Sequence, residues 1–314
     1  MADQVHASTS VIVPNWRPYA VLAVGVLAVS FAAIFIRLGQ QSTASSLVLA
    51  AARLCVASVV LTPIVLRRHR QELRVLSAND LKWALVSGMV LGLHFATWIT
   101  SLEYTAVVNS VTLVSTNSLW VALLALIFLG ERLDRWVIMG LILALGGGIL
   151  VGLSGDAGDP PTGHDPLLGN GLALIGAFMA ACYFIIGRRL RARLSLMVYI
   201  WLVYSAAAVI LVGVVAVSGQ QVAGLPAEAY LWMLLMGLVP QLIGHSSFNY
   251  ALGFFPAAYV SLVVLSEPIT SGLLAIVFLD EWPVLLQLVG SALILVGIGV
   301  ASREDRLSEA EPIE

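Results

Sequence analysis

Four ionisable side chains stand inside long apolar runs of this sequence: Arg53, His94, His245 and Glu267. Such groups are expensive at bilayer depth, so each one that persists there is expected to face protein or water rather than lipid. Gln241, His245 and Asn249 recur at i, i+4 and i+8 and draw one polar stripe through apolar surroundings. The stripe is either the hydrogen-bonding wall of a cavity or a set of interhelical hydrogen bonds. His94 shares a helical face with Ser87, Trp98 and Ser101. It reads as a cavity residue or proton carrier, or as a buried histidine bonded to a neighbouring helix. Asn109, Thr112, Thr116 and Trp120 form a further row, echoed later by Tyr259, Ser266 and Thr270. Both rows offer a solute hydroxyls, amides and aromatic faces.

Glu267 immediately precedes Pro268 near the middle of its apolar run. The proline lacks a backbone N–H, so a kink is expected there. Glu267 is read as a proton or cation acceptor, or as the partner of Arg53 in a buried ion pair; Arg53 is assigned the structural side of that pair. The candidate substrate-binding residues are therefore His94, Trp98, Asn109, Thr116, Trp120, Gln241, His245, Asn249, Tyr259 and Ser266. His94, His245 and Glu267 are the candidates for proton coupling. Cys55 and Cys182 lie in apolar runs with no Cys/His cluster near them, so neither a metal site nor a disulfide is expected. No cofactor is expected either.

These residues need long apolar elements to hold them, and composition supplies them. The 314 residues are 60% hydrophobic and 11% charged, with a mean hydropathy of +0.96, against about 25% charged in a soluble domain. An all-α integral membrane protein follows. Ten runs are long enough to cross as helices: about 19–37, 46–66, 82–102, 106–128, 135–153, 168–187, 195–217, 229–251, 257–279 and 283–301. The first is followed by nine more and is expected to remain in the chain as a signal anchor. The net charge of −2 does not suggest nucleic acid as a partner. The expected partners are a small-molecule substrate and the lipid bilayer, with monomer and homodimer equally open.

Basic residues orient the chain, because cytoplasmic loops collect them. With the N-terminus inside, fourteen of the sixteen fall on the cytoplasmic side, and only Arg37 and Arg53 do not. Both termini are expected in the cytoplasm, in a multi-pass protein of the cell membrane.

Shifting the chain by 150 residues aligns 102–147 with 252–297 without a gap, with twelve identities in forty-six positions. Phe128-Leu129-Gly130-Glu131 meets Phe278-Leu279-Asp280-Glu281, and Gly140 and Gly147 meet Gly290 and Gly297. The units are 19–153 and 168–301, joined by a periplasmic linker at 154–167 and flanked by cytoplasmic tails at 1–18 and 302–314. Five spans per unit is an odd number, so the second unit enters the membrane from the opposite side, as in secondary transporters. Glu131 and Glu281 are read as helix-end hydrogen-bonding groups. The four glycines are read as close-packing surfaces and Pro268 as a structural kink.

Ser266-Glu267-Pro268, the two Phe-Leu-x-Glu motifs, Gly290 to Gly297, and His94-Phe95-Ala96-Thr97-Trp98 leading to Ser101-Leu102-Glu103-Tyr104 resemble the EamA branch of the drug/metabolite transporter superfamily. The resemblance covers about 19–301. It implies ten helices in two inverted five-helix repeats, a bacterial inner-membrane location, and a central cavity for small organic metabolites such as amino acids, purines, sugars or toxic cations. The first half has Asn117-Ser118 where the second has Glu267-Pro268, so the halves are expected to differ in chemistry.

A secondary transporter working by alternating access, exporting amino acids or related amphipathic compounds, is the leading expectation. ATP is not the expected energy source, because Lys82, the only lysine, is followed by Trp83 rather than by the Ser or Thr of a phosphate-binding loop. An intramembrane enzyme would need a nucleophile paired with a base, for which Ser246 and Ser247 beside His245 are the nearest match. A channel-like facilitator is the other alternative, although no filter sequence is visible.

Overall fold

A computed structural model describes residues 16–105, 107–130, 134–152, 165–279 and 285–301, and every regular element in them is a helix. Several helices begin where the sequence supplies a cap. The side chains of Ser45, Ser77, Asp165 and Ser195 each accept from the amide three residues on, which satisfies a donor that the first turn leaves open. Ser45 and Ser195 are related by the 150-residue shift, so both repeats start their second helix in the same way.

In the first repeat the helices are α1 (Arg17–Gln41), α2 (Ser46–Arg68), the short α3 (Arg70–Arg74), α4 (Ala78–Tyr104), α5 (Val107–Ser115), α6 (Asn117–Leu124), which runs into a π-helical turn at Ala125–Leu129, and α7 (Arg135–Gly152). The second repeat has α8 (Pro166–Arg191), α9 (Leu196–Ser218), α10 (Ala227–Met236), a π-helical segment at Gly237–His245, α11 (Ser246–Ala251), α12 (Ala257–Val264), α13 (Glu267–Leu279) and α14 (Leu285–Ala301). Among the described residues, seven helices are long and apolar enough to cross a membrane. Leu113–Leu129, Arg135–Leu150 and Leu288–Gly297 are apolar but shorter, and they fall where the expected fourth, fifth and tenth spans lie. Glu131, Glu281, most of the expected linker and nearly all of both tails lie outside the described residues.

The two repeats exchange partners. α4 packs along α8, and its counterpart, formed by α10, the π segment and α11, packs along α1. α2 packs on α9, and α7 on α14, each element meeting its own counterpart. The α7–α14 seam shows why glycine is needed there. A Cβ on Gly147 would collide with the Gly290 carbonyl oxygen, and one on Gly297 with that of Gly140. Two backbones this close leave no room for a side chain.

The helix is interrupted beside Pro268, where a kink was expected, but a proline is not required for such a break. α12 ends at Val264 and α13 starts at Glu267; in the first repeat α5 ends at Ser115 and α6 starts at Asn117, at the equivalent position and with no proline nearby. What the two breaks share is a hydroxyl that bonds back to the preceding turn. Thr116 Oγ1 donates to the Leu113 carbonyl at 2.6 Å, and Ser266 Oγ donates to the Val263 carbonyl at 2.6 Å. Such back-bonding bends helices. The surrounding amides make tighter i→i−3 bonds in matching positions, Thr116 to Leu113 and Leu119 to Thr116 in one repeat, Ser266 to Val263 and Ile269 to Ser266 in the other.

Large apolar side chains from both repeats fill the interior, including Leu49, Leu54, Leu91, Phe95, Ile99 and Tyr204. Others, such as Val59, Ile142, Val217 and Val277, stand largely exposed on the outer surface, as a hydrocarbon surrounding would favour.

Candidate functional site

Between the repeats lies a cavity of about 40 Å³ lined by Val114, Ser115 and Asn117 at the first break, Val264 and Glu267 at the second, and Arg53, His94, Trp98, Tyr183, His245 and Phe248 around them. Val114 and Val264, Asn117 and Glu267, and Trp98 and Phe248 are pairs related by the 150-residue shift. The cavity therefore sits where the repeats face one another, and both broken helices supply part of its wall. Its volume holds a few water molecules at most, well below the roughly 300–1,000 Å³ of a ligand pocket, so the site is contracted in this conformation.

Arg53 is fully buried on α2. Its Nε donates to Gln241 Oε1 at 2.6 Å, and its guanidinium carbon lies 4.0 Å from the centre of the Phe95 ring. Neither Nη1 nor Nη2 has a hydrogen-bond partner. Glu267 lines the same cavity, yet the ion pair expected between these residues does not form. No contact of ion-pair length joins them, whereas His69 pairs with Glu72 and Arg193 with Asp80 outside the cavity. Gln241 takes the position a carboxylate was expected to hold. Gln241 is neutral, so among the described residues lining the cavity only Glu267 offers the guanidinium an opposite charge, and it does so without a direct bond.

His94 Nδ1 donates to the Gly176 carbonyl at 2.9 Å, which ties α4 to α8. The ring stacks on Trp98, with 5.9 Å between centres, and lies 6.5 Å from that of His245. His245 packs against Phe95 and Phe248, and its Nδ1 has no partner. Trp98 Nε1 and Asn117 Oδ1 likewise bond no other group. The cavity thus combines an aromatic wall with a cation, an acidic residue and several unsatisfied polar atoms.

The stripe Gln241, His245 and Asn249 serves three different ends. Pro240 cannot donate to the carbonyl four residues earlier, and the chain from Gly237 to His245 takes the wider π-helical turn. Gln241 then reaches Arg53, and His245 reaches the cavity. Asn249 is fully buried, and its Nδ2 donates to the Tyr183 hydroxyl and to the His245 carbonyl, with the Tyr204 hydroxyl farther off at 3.4 Å.

Trp120, Tyr259, Thr116 and Ser266 are not among the described residues lining the cavity. Trp120 packs edge-on against Phe178 and Tyr259 against Phe255, while Thr116 and Ser266 bond back within their own helices. Asn109 lies on α5, in a stretch where only the backbone is described. Sequence reasoning missed Ser115 and Asn117 as cavity residues. The signal for Asn117 was its equivalence to Glu267.

A larger hollow of about 570 Å³ lies apart from this site, between the start of α4, the end of α6 and α8, and is lined by Trp83, Leu124, Phe128, Cys182, Arg189 and Arg193 among others. Asp80 and Arg193 pair at its rim.

The EamA-like transporter family matches residues 16–153 and again 167–303, the two repeats seen in the fold. The chain belongs to this family. It is a multi-pass membrane protein and a membrane transporter. Similar proteins include a probable terminal-alkyne amino-acid exporter from Streptantibioticus cattleyicolor, 27% identical over 90% of this chain and 92% of that protein. An uncharacterized transporter from Clostridium kluyveri is 21% identical over 77% of this chain and 78% of its own length. An uncharacterized transporter from Archaeoglobus fulgidus is 32% identical over a shorter stretch, 24% of this chain and 28% of that protein. One solved crystal structure covers 94% of this chain and 99% of its own with a TM-score of 0.72 at 20% identity, a likeness of fold alone.

Proposed function

We propose that this EamA-like transporter is a secondary exporter of amino acids or closely related amphipathic metabolites, crossing the membrane ten times as two inverted repeats and working by alternating access. The observation that carries the reading is the cavity walled by two helices broken at equivalent positions, Thr116 and Ser266. Breaks at equivalent positions give each repeat a bend that can swing while its partner stays shut. The amino-acid class is supported by the exporter from Streptantibioticus cattleyicolor, which aligns over most of both chains.

The enzyme alternative loses its one near match. Ser247 Oγ donates to the Ile243 carbonyl at 2.7 Å, Ser246 Oγ lies 3.3 Å from the Tyr204 hydroxyl, and His245 Nδ1 touches neither serine.

His94, His245 and Glu267 are the proposed carriers of a coupling proton, with Arg53, Tyr183 and Tyr204 the other ionisable groups around them. The test is exchange in proteoliposomes. Preloaded unlabelled amino acid should drive saturable uptake of labelled amino acid, and an imposed pH gradient should drive net accumulation. Uptake that is linear in concentration and indifferent to preloading would contradict a carrier; accumulation unchanged on collapsing the gradient would contradict the coupling.

A further inference from the structure

Arg53 presents a chemical demand that the protein leaves unmet. A guanidinium carries five N–H donors, of which only the one on Nε is engaged, by Gln241. The Nη1 and Nη2 donors are buried and bond no protein atom. A buried charge of this kind is retained only where something compensates it. Phe95 covers one face of the guanidinium and Gln241 holds its Nε edge, so the plane is fixed before any ligand arrives. The Nη pair of a fixed guanidinium matches the two oxygens of a carboxylate, in the bidentate geometry that distinguishes Arg from Lys.

The same cavity holds groups of the opposite character. Glu267 and the unpartnered Asn117 Oδ1 both accept hydrogen bonds, and they occupy equivalent positions at the two helix breaks. An acidic residue, an amide oxygen and one fixed cation in an otherwise aromatic pocket complement a solute that is itself dipolar. A solute with a carboxylate alone would leave the acceptors unmet, and one with an amine alone would leave Arg53 unmet.

We infer that Arg53 is the carboxylate-recognising residue of this transporter, binding the α-carboxylate of a zwitterionic amino acid through Nη1 and Nη2, while Glu267 and Asn117 receive its ammonium group. The inference rests on the transporter reading above and names the residues that select its substrate. Because the cavity is contracted to about 40 Å³, the solute is admitted only when the wall moves. Ser115, Asn117, Val264 and Glu267, which flank the two breaks, are the part of the wall placed to move.

The experiment is counterflow in proteoliposomes of the full-length wild-type chain, using labelled L-leucine, L-methionine and L-phenylalanine beside their carboxamides and decarboxylated amines. Losing one charge-assisted hydrogen-bonding partner costs about 10- to 100-fold, so the amino acids should exchange at least about 10-fold better than either derivative. Arg53→Gln should abolish that preference, and Arg53→Lys should retain part of it. The wild-type comparison stands whether or not the variants fold. Derivatives that exchange as well as the amino acids, or amines that exchange while amino acids do not, would overturn the role of Arg53 and leave a transporter of other solutes. Absence of saturable exchange for every compound would remove the amino-acid exporter reading, and this inference with it.

Discussion

Asn249 donates to the buried Tyr183 hydroxyl and to a backbone carbonyl, with the Tyr204 hydroxyl within 3.4 Å, and so brings α8, α9 and α11 together beside the cavity. Asn249→Leu removes those donors and leaves polar groups buried without them, a loss of about 1–3 kcal/mol. It should lower the thermal midpoint in detergent clearly more than Gln71→Ala at the exposed surface of α3 does. Glu72 sets a pH dependence on the same scale. Partial burial opposes its ionisation, but hydrogen bonds from the Ser195 hydroxyl and amide and from His69 outweigh that and hold its pKa below the ordinary carboxylate value. A pKa lowered on folding means that the stabilisation is present above the unfolded pKa and is lost as pH falls through the folded one. Glu72→Gln should therefore lower the midpoint at neutral pH and make little difference in acid. At this scale the sequence singled out Arg53, His94, His245 and Glu267, because charge inside an apolar run stands out; all four line the cavity, Arg53 and His94 buried, His245 and Glu267 partly exposed. It did not show which partner each would find. The Arg53–Glu267 pair was the simplest arrangement of charges, yet the geometry of α2 and the π segment brings Gln241 to the guanidinium first.

At the scale of elements, the break at Thr116 is the feature periodicity hid, while the one beside Pro268 was expected from the proline alone. Residues 106–128 and 257–279 each read as one apolar span, since a single back-bonding hydroxyl leaves no mark in hydropathy. Thr116→Val and Ser266→Ala should straighten the breaks and slow exchange together, while Pro268→Ala should keep its break and stay within about 3-fold of wild-type exchange, since the first repeat breaks with no proline at all. The glycines were easier to recognise, because their repetition at a fixed shift survives any helix assignment. Gly147→Ala would press a Cβ onto the Gly290 carbonyl, a cost of about 1–3 kcal/mol for overpacking. Gly146→Ala has nothing within 4 Å and should be neutral or slightly stabilising. Thermal unfolding of the two variants in parallel separates close packing from helix propensity.

For the whole molecule, the 150-residue shift found in the sequence corresponds to the exchange of packing partners between repeats, and it puts the cavity between equivalent residues. Repeat identity was legible because it needs only spacing. The small volume of the site was not, because it depends on how helices from opposite repeats meet. The proposed topology has both termini in the cytoplasm, and reporter fusions at each end should be active only there. Alternating access makes a sharper demand, that one buried cavity open to each side in turn. The most direct measurement places a single cysteine at Ala180, which is buried and lines the cavity, in a chain whose Cys55 and Cys182 are replaced by serine. Membrane-impermeant maleimide should label that cysteine in oriented vesicles when added to either face, and L-leucine should slow labelling from both. Labelling from one face only, under every condition, would contradict the account.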